Sequence, residues 1–146
     1  DPYIAPPDFP EGVKSVSKEE LFRESDIVTL HVPLNDETRH AAGKAMLSLM
    51  KRGSFLVNTS RGSIANLDDV LAALDSGQLE GAGLDVLPKE PPAVDHPVLR
   101  HPRVILSPHA AFYSNEGVRE LRTKAAQNLI DWAKTGKPTY VVVEGR

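Results

Sequence analysis

The chain has 146 residues, 40% hydrophobic and 25% charged, with a net charge of −3 and no cysteine. That is the size of one ordinary domain with a single core and the composition of a soluble globular protein, without the basic footprint of a nucleic-acid binder. Lack of cysteine excludes disulfides, thiolate chemistry and cysteine zinc sites and is compatible with a cytoplasmic home; no apolar run approaches the ~20 residues of a membrane span and no signal peptide opens the chain.

Asp1-Pro2-Tyr3 carries no initiator methionine, and Pro6, Pro7 and Pro10 follow at once. This reads as a chain entered at the end of a structural element, so a fragment of a longer protein is expected. Val13 to Val16 reads as a very short strand. Ser17-Lys18-Glu19-Glu20 has the form of a capping box, opening a short helix with Leu21 and Phe22 on its buried face. The β-branched run Asp26 to Val32, stopped by Pro33, reads as a buried parallel strand. Lys44 to Lys51 reads as a helix with Met46, Leu47 and Met50 on one side and Gly53 as its stop. Ser54 to Asn58 is the next strand. Asn66 caps a helix to about Ser76, with Val70, Leu71 and Leu74 inward and Gly77 at its end. Gly81 to Val86 reads as a third strand, whose small residues would let a helix pack closely on the sheet. A proline-rich loop (Pro88, Pro91, Pro92, Pro97, Pro102) leads to a fourth strand, Arg103 to Ser107. A long helix from Ser114 to about Thr135 repeats Val118, Leu121, Ala125, Leu129 and Trp132 at three- and four-residue steps and ends at Gly136. Tyr140 to Val143 is a short β-prone tail. Alternation of strand and helix predicts an α/β fold around a parallel sheet.

Several chemically capable side chains fall just beyond these strands, at the sheet edge where open α/β folds bind ligands. Arg61, ahead of Gly62, could fork onto a carboxylate, or only cap a turn. His109, after Ser107-Pro108, suits a general acid/base, or is a satisfied histidine at a loop-to-helix junction. Glu90 would favour the imidazolium of His109 if it reaches it; otherwise it is a solvated surface acid. Asp85 could cap a helix or bind a polar amide. His96 and His101, near Asp95, are thin grounds for a metal site, and none is expected. Ser60 and Ser63 lack the G-x-S-x-G frame of a serine hydrolase. No G-x-G-x-x-G or G-x-x-x-x-G-K-[ST] occurs; Gly81-Ala82-Gly83 comes nearest and lacks the third glycine.

The joint order Arg61, Asp85, Glu90, His109, with Ser25 to Leu34, Asn35 to Thr38, Phe55 to Gly62, Gly83 to Val86, Glu90-Pro91 and Ser107 to Ala111, resembles the NAD-dependent D-2-hydroxyacid dehydrogenases. His109 to Ser114 is closest to the branch of C-terminal-binding protein corepressors, which typically has tryptophan where Phe112 stands. The resemblance implies a partial doubly wound parallel (Rossmann) sheet over residues 1–112. Residues 113–146 would form a C-terminal helix and tail returning toward an absent substrate domain. It implies that Arg61 grips the substrate carboxylate and carbonyl oxygen. His109 would protonate that oxygen as hydride arrives, Glu90 would keep His109 charged, and Phe112 would touch substrate. NAD would be lined by Val32, Pro33, Leu34, Asn35, Thr38, Thr59, Ser60, Arg61, Asp85, His109 and Ala111. Asp1 matches the acid that ends the second strand and binds the adenosine ribose hydroxyls, selecting NAD over NADP.

With the usual strand order 3-2-1-4-5-6, the two missing strands are expected between the Ile27 strand and the Phe55 strand, leaving a hole in the sheet. The chain alone is therefore expected to be inactive as a dehydrogenase, and part of a protein of about 300 residues. The partners implied are a small 2-oxo or 2-hydroxy acid and a second copy of the protein, with no nucleic acid bound directly and no membrane. An NAD-sensing, corepressor-like binding scaffold is the alternative function.

Overall fold

A computed structural model of the chain describes residues 9–141. It divides into two compact units, one ending at His109 and one beginning at Ala110. Asp1 lies outside the described residues, as do Val142 and Val143 of the expected tail.

The first unit opens with α1 (Lys18–Glu24), where the Ser17 hydroxyl accepts the Glu20 N–H. Only half of the expected capping box forms, because the Glu20 carboxylate instead takes the Lys14 ammonium at 2.8 Å. Phe22 is buried, whereas Leu21 is 40% exposed, so one side chain rather than two anchors this short helix. Val13 to Val16 forms no strand. Strand β1 (Ile27–Leu30) follows, then α2 (Lys44–Leu47), β2 (Ser54–Asn58), α3 (Leu67–Asp75), β3 (Leu79–Leu84) and β4 (Val104–Leu106). Helix α2 is one turn, half the expected length. Leu47 and Met50 are nonetheless buried, and Gly53 supplies the positive φ of 82° that turns the chain into β2.

Helix α3 shows the link from sequence to packing most clearly. Asn66 accepts the Asp69 N–H and caps it. Val70 and Leu74 are then turned fully into the core and Leu71 is half-buried. Each fully buried Val or Leu stabilises the fold by about 1.5–3 kcal/mol. Asp69 also accepts the Lys44 N–H at 2.9 Å, so α3 caps the neighbouring α2.

The sheet is four-stranded and wholly parallel, in the order β1-β2-β3-β4. No hole separates the Ile27 and Phe55 strands; Ile27 pairs with Phe55 and Leu30 with Asn58. The gap expected there is absent because β1 pairs with β2 along its whole length, from Ile27 to Leu30. The outer edge of β1, not its inner one, is unpaired among the described residues. Strand β3 begins two residues earlier than expected and stops before Asp85, which leaves Asp85 and Val86 in the following turn.

The two sheet faces differ. Val28, Leu30, Leu56, Ala82 and Leu84 are buried in one core with residues of α1, α2 and α3. On the other face stand Ile27 (61% exposed), Phe55 (43%) and Ile105 (78%). Gly81 pairs with Phe55 and Gly83 with Val57 on that face. A Cβ on Gly81 would lie 3.1 Å from the Phe55 ring, so the small residue there admits a neighbouring aromatic side chain, while Ala82, on the opposite face, is buried in the core with Val70, Ala73 and Leu74 of α3.

In the second unit, Ser114 caps α4 (Asn115–Thr135) by accepting the Gly117 N–H, and Gly136, at φ 72°, ends it. No residue of α4 is buried. Its apolar positions Leu121, Leu129 and Trp132 are all more than half exposed. Tyr140 forms no strand; it closes back on α4, exchanging two hydrogen bonds with the Asn128 amide.

Candidate active site

In a parallel sheet, the residues that follow each strand gather at one edge. Here those segments are His31 to Leu34 after β1, Thr59 to Gly62 after β2, Asp85 to Glu90 after β3 and Ser107 to His109 after β4. A cleft of about 200 Å³ is lined by Leu34, Arg61, Glu90 and His109, with Gly62 and the Val86 to Pro88 turn. The three residues expected to carry chemistry thus share one cleft. A second, wider cleft of about 640 Å³ adjoins it, lined by His31, Val32, Pro33, Leu34, Ser60 and Arg61.

Asn58 sets the Arg61 turn. It is 1% exposed at the last position of β2. Its side-chain amide donates to the Arg61 carbonyl at 3.0 Å, and its oxygen accepts the Ser60 N–H at 3.1 Å. A buried amide with both ends paired fixes a turn more tightly than either bond alone would. The Arg61 guanidinium, exposed in the cleft, donates to the Ser60 carbonyl at 2.7 Å.

His109 and Glu90 meet. The Nδ1 of His109 lies 2.8 Å from the Glu90 carboxylate, with both side chains partly exposed. With the carboxylate as acceptor, Nδ1 carries the proton, and Nε2 is the ring nitrogen left to exchange one. The other Glu90 oxygen accepts the Leu87 N–H at 2.7 Å. The hydrogen bond to His109, and then that from Leu87, hold the Glu90 carboxyl below its ordinary pKa. His109 itself sits at φ 54°, a left-handed conformation uncommon for a residue with a Cβ. Its N–H donates to the Asp85 carbonyl at 2.9 Å, clipping the end of β4 to the end of β3. Asp85, 5% exposed, accepts the Ser107 hydroxyl at 2.5 Å.

The expected cofactor-lining residues divide into two groups. Val32, Pro33, Leu34 and Ser60 line the wider cleft, and the Ser60 hydroxyl donates to the Val32 carbonyl at 3.1 Å. Asn35 and Thr38 instead engage each other. The Thr38 N–H donates to the Asn35 side chain, the Asn35 N–H donates to the Thr38 hydroxyl, and that hydroxyl reaches the Pro33 carbonyl at 2.6 Å. They shape the loop from within. Thr59 is exposed between Asn58 and Ser60. Ala111 and Phe112 belong to the second unit, where the Phe112 ring lies 5.2 Å from that of Tyr113. His96 and His101 have local roles: His96 accepts the Val98 N–H, and His101 lies 3.2 Å from Asp75.

Asn58 and Ser107 stand within the Phe55 to Gly62 and Ser107 to Ala111 stretches but were given no role of their own in the sequence. The available signal was a polar residue closing an apolar strand run just before a functional turn. Where such a position is buried it is hydrogen-bonded, but residue type alone does not tell a buried strand end from a solvated one.

An α/β sheet of this kind, with a cation and a carboxylate-paired imidazole at its carboxyl edge, defines a Rossmann-like domain suited to hold a ligand there. Residues 1–111 match the family described as D-isomer specific 2-hydroxyacid dehydrogenase, NAD binding domain, and the chain belongs to that family. It is 44% identical over 131 residues to a glyoxylate reductase of Korarchaeum cryptofilum, covering 90% of this chain and 40% of that protein. A D-specific alpha-keto acid dehydrogenase of Enterococcus faecalis is 41% identical, with 82% and 41% covered. Among solved structures, a glyoxylate reductase from Paecilomyes thermophila superposes with a TM-score of 0.86 at 35% identity, covering 95% of this chain and 42% of that one. The chain thus spans about 40% of the length of such relatives.

Proposed function

We propose that this chain carries the substrate-gripping and proton-transfer residues of an oxidoreductase that interconverts 2-oxo acids and D-2-hydroxy acids with NAD(H). The observation that carries the proposal is the 2.8 Å His109–Glu90 pair in the same cleft as Arg61. Arg61 binds the substrate carboxylate, whose planar geometry its fork matches. His109, through Nε2, gives a proton to the carbonyl oxygen in reduction and takes it back in oxidation. Glu90 orients the ring through Nδ1.

The residues present suit a nicotinamide cofactor. Val32, Pro33 and Leu34 offer an apolar wall beside Ser60 and Arg61 in the wider cleft, and the buried Asp85 is an acceptor suited to a carboxamide. When bound, the cofactor supplies or accepts the hydride. Thr59 and Ala111 extend this lining, Asn35 and Thr38 hold its loop, Phe112 contacts substrate, and Asp1 selects NAD over NADP. Residues 1–112 form the nucleotide-binding part and residues 113–146 lead toward a substrate domain. A cytoplasmic, homodimeric protein without nucleic-acid partners belongs to the same proposal.

The test is His109→Ala in the full-length protein, assayed with glyoxylate and other 2-oxo acids. Turnover should fall about 10²–10⁴-fold, with NADH affinity, read by fluorescence titration, nearly unchanged. Wild-type turnover in this variant would overturn the role given to His109.

A further inference from the structure

Gly62 follows Arg61 and is buried against the turn that carries Glu90. A Cβ built on Gly62 would stand 2.0 Å from the Leu87 carbonyl carbon, 2.3 Å from its oxygen and 2.3 Å from the Pro88 nitrogen. These are atoms of one peptide bond, which cannot swing aside as the end of a flexible side chain can. The backbone at Gly62 lies outside the positive-φ region, so the need for glycine here is one of space and not of torsion. From that peptide the connection continues. The Leu87 N–H holds one Glu90 oxygen at 2.7 Å and the other lies 2.8 Å from His109 Nδ1.

We propose that Gly62 is a positioning residue for proton transfer: the peptide seated on it sets where Glu90 stands, and so how His109 is held. This rests on the proton-transfer reading above. Any larger residue at position 62 pushes the Leu87–Pro88 peptide outward. The Leu87–Glu90 bond and the Glu90–His109 bond then lengthen or break, although neither Glu90 nor His109 has been altered.

The experiment is a double-mutant cycle in the full-length protein, with Gly62→Ala and Glu90→Gln, singly and together, read by the pH dependence of kcat/KM for 2-oxo acid reduction. Glu90→Gln should change that profile, because the Glu90 carboxyl, held below its ordinary pKa by His109 and the Leu87 N–H, is no longer there to titrate. Gly62→Ala should let the Glu90 pKa rise toward its ordinary value, moving the acid limb of the profile to higher pH, and lower kcat/KM about tenfold or more, as small misplacements near reacting groups do. The double variant should be within about twofold of Glu90→Gln alone. If Glu90→Gln leaves the profile unchanged, the proton-transfer reading fails and this inference with it. If Glu90→Gln shifts the profile while Gly62→Ala does not, or if the two losses multiply, the inference alone is overturned. Should Gly62→Ala not fold, Pro88→Gly takes its place in the cycle. It loosens the seated peptide, and the same non-additive shift is expected; a wild-type profile for Pro88→Gly would overturn the inference.

Discussion

Glu90 engages both of its carboxylate oxygens, one on the Leu87 N–H and one on His109. The hydrogen bond from His109 is the larger cause of its lowered pKa. Replacing His109 by Ala should therefore raise the Glu90 pKa toward its ordinary value, which a carboxyl carbon NMR titration would read. The sign for stability follows from linkage. A carboxyl whose pKa is depressed in the folded state adds stability above its unfolded pKa, and loses it as pH falls through the folded value. Denaturant midpoints of wild type and Glu90→Gln should thus differ near neutrality and draw together in acid; a gap that persists in acid would contradict this origin. How much of the site the sequence made legible follows the same residues. Arg61, Glu90 and His109 stood out by chemical type and by their place after strands. That Glu90 meets His109, 19 positions away, depends on how the 85–90 turn folds over Gly62, a close approach that no local pattern encodes. Asn58 and Ser107 escaped notice because a polar strand end looks the same in sequence whether it is paired or solvated.

At the level of elements, the hydrogen-bonded caps were the most legible feature. Ser17, Asn66 and Ser114 each accept the N–H three residues on, because that geometry is local. Asn66→Ala should cost about 1 kcal/mol and lower the midpoint of thermal unfolding. Strand ends were less legible. Strand β3 starts at Leu79 because Leu79 pairs with Ser54, and one extra residue of β3, Glu80, falls between that pair and the Phe55–Gly81 pair, an irregularity that apolar patterning does not reveal. Strand β2 contains one unsatisfied group: the buried Ser54 hydroxyl has no hydrogen-bond partner among the described residues. Ser54→Ala should leave stability unchanged or raise it by up to about 1–3 kcal/mol, since an unpaired buried hydroxyl is a cost. A clear loss of stability on chemical denaturation would show that the hydroxyl is paired in solution.

Across the whole molecule, the fold class was legible because alternating apolar runs and caps dictate a parallel sheet, but the strand order was not. The connection rule leaves open which side of β1 takes β2, and direct β1–β2 pairing leaves Ile27, Phe55 and Ile105 on an exposed sheet face. This chain by itself should therefore bind a hydrophobic dye such as ANS, and Ile105→Thr should reduce the signal. No binding by the chain alone would mean that this face is covered in solution. Strand order in space equals strand order in sequence, and this has a consequence for assembly. Each new strand can add to the one just before it, without waiting for a distant part of the chain. The sheet can then grow by one strand at a time as the polypeptide leaves the ribosome, where folding starts from the N-terminal end. Arg61 emerges first, Glu90 second and His109 last, so the contact that completes the site is also the one that registers the arrival of β4.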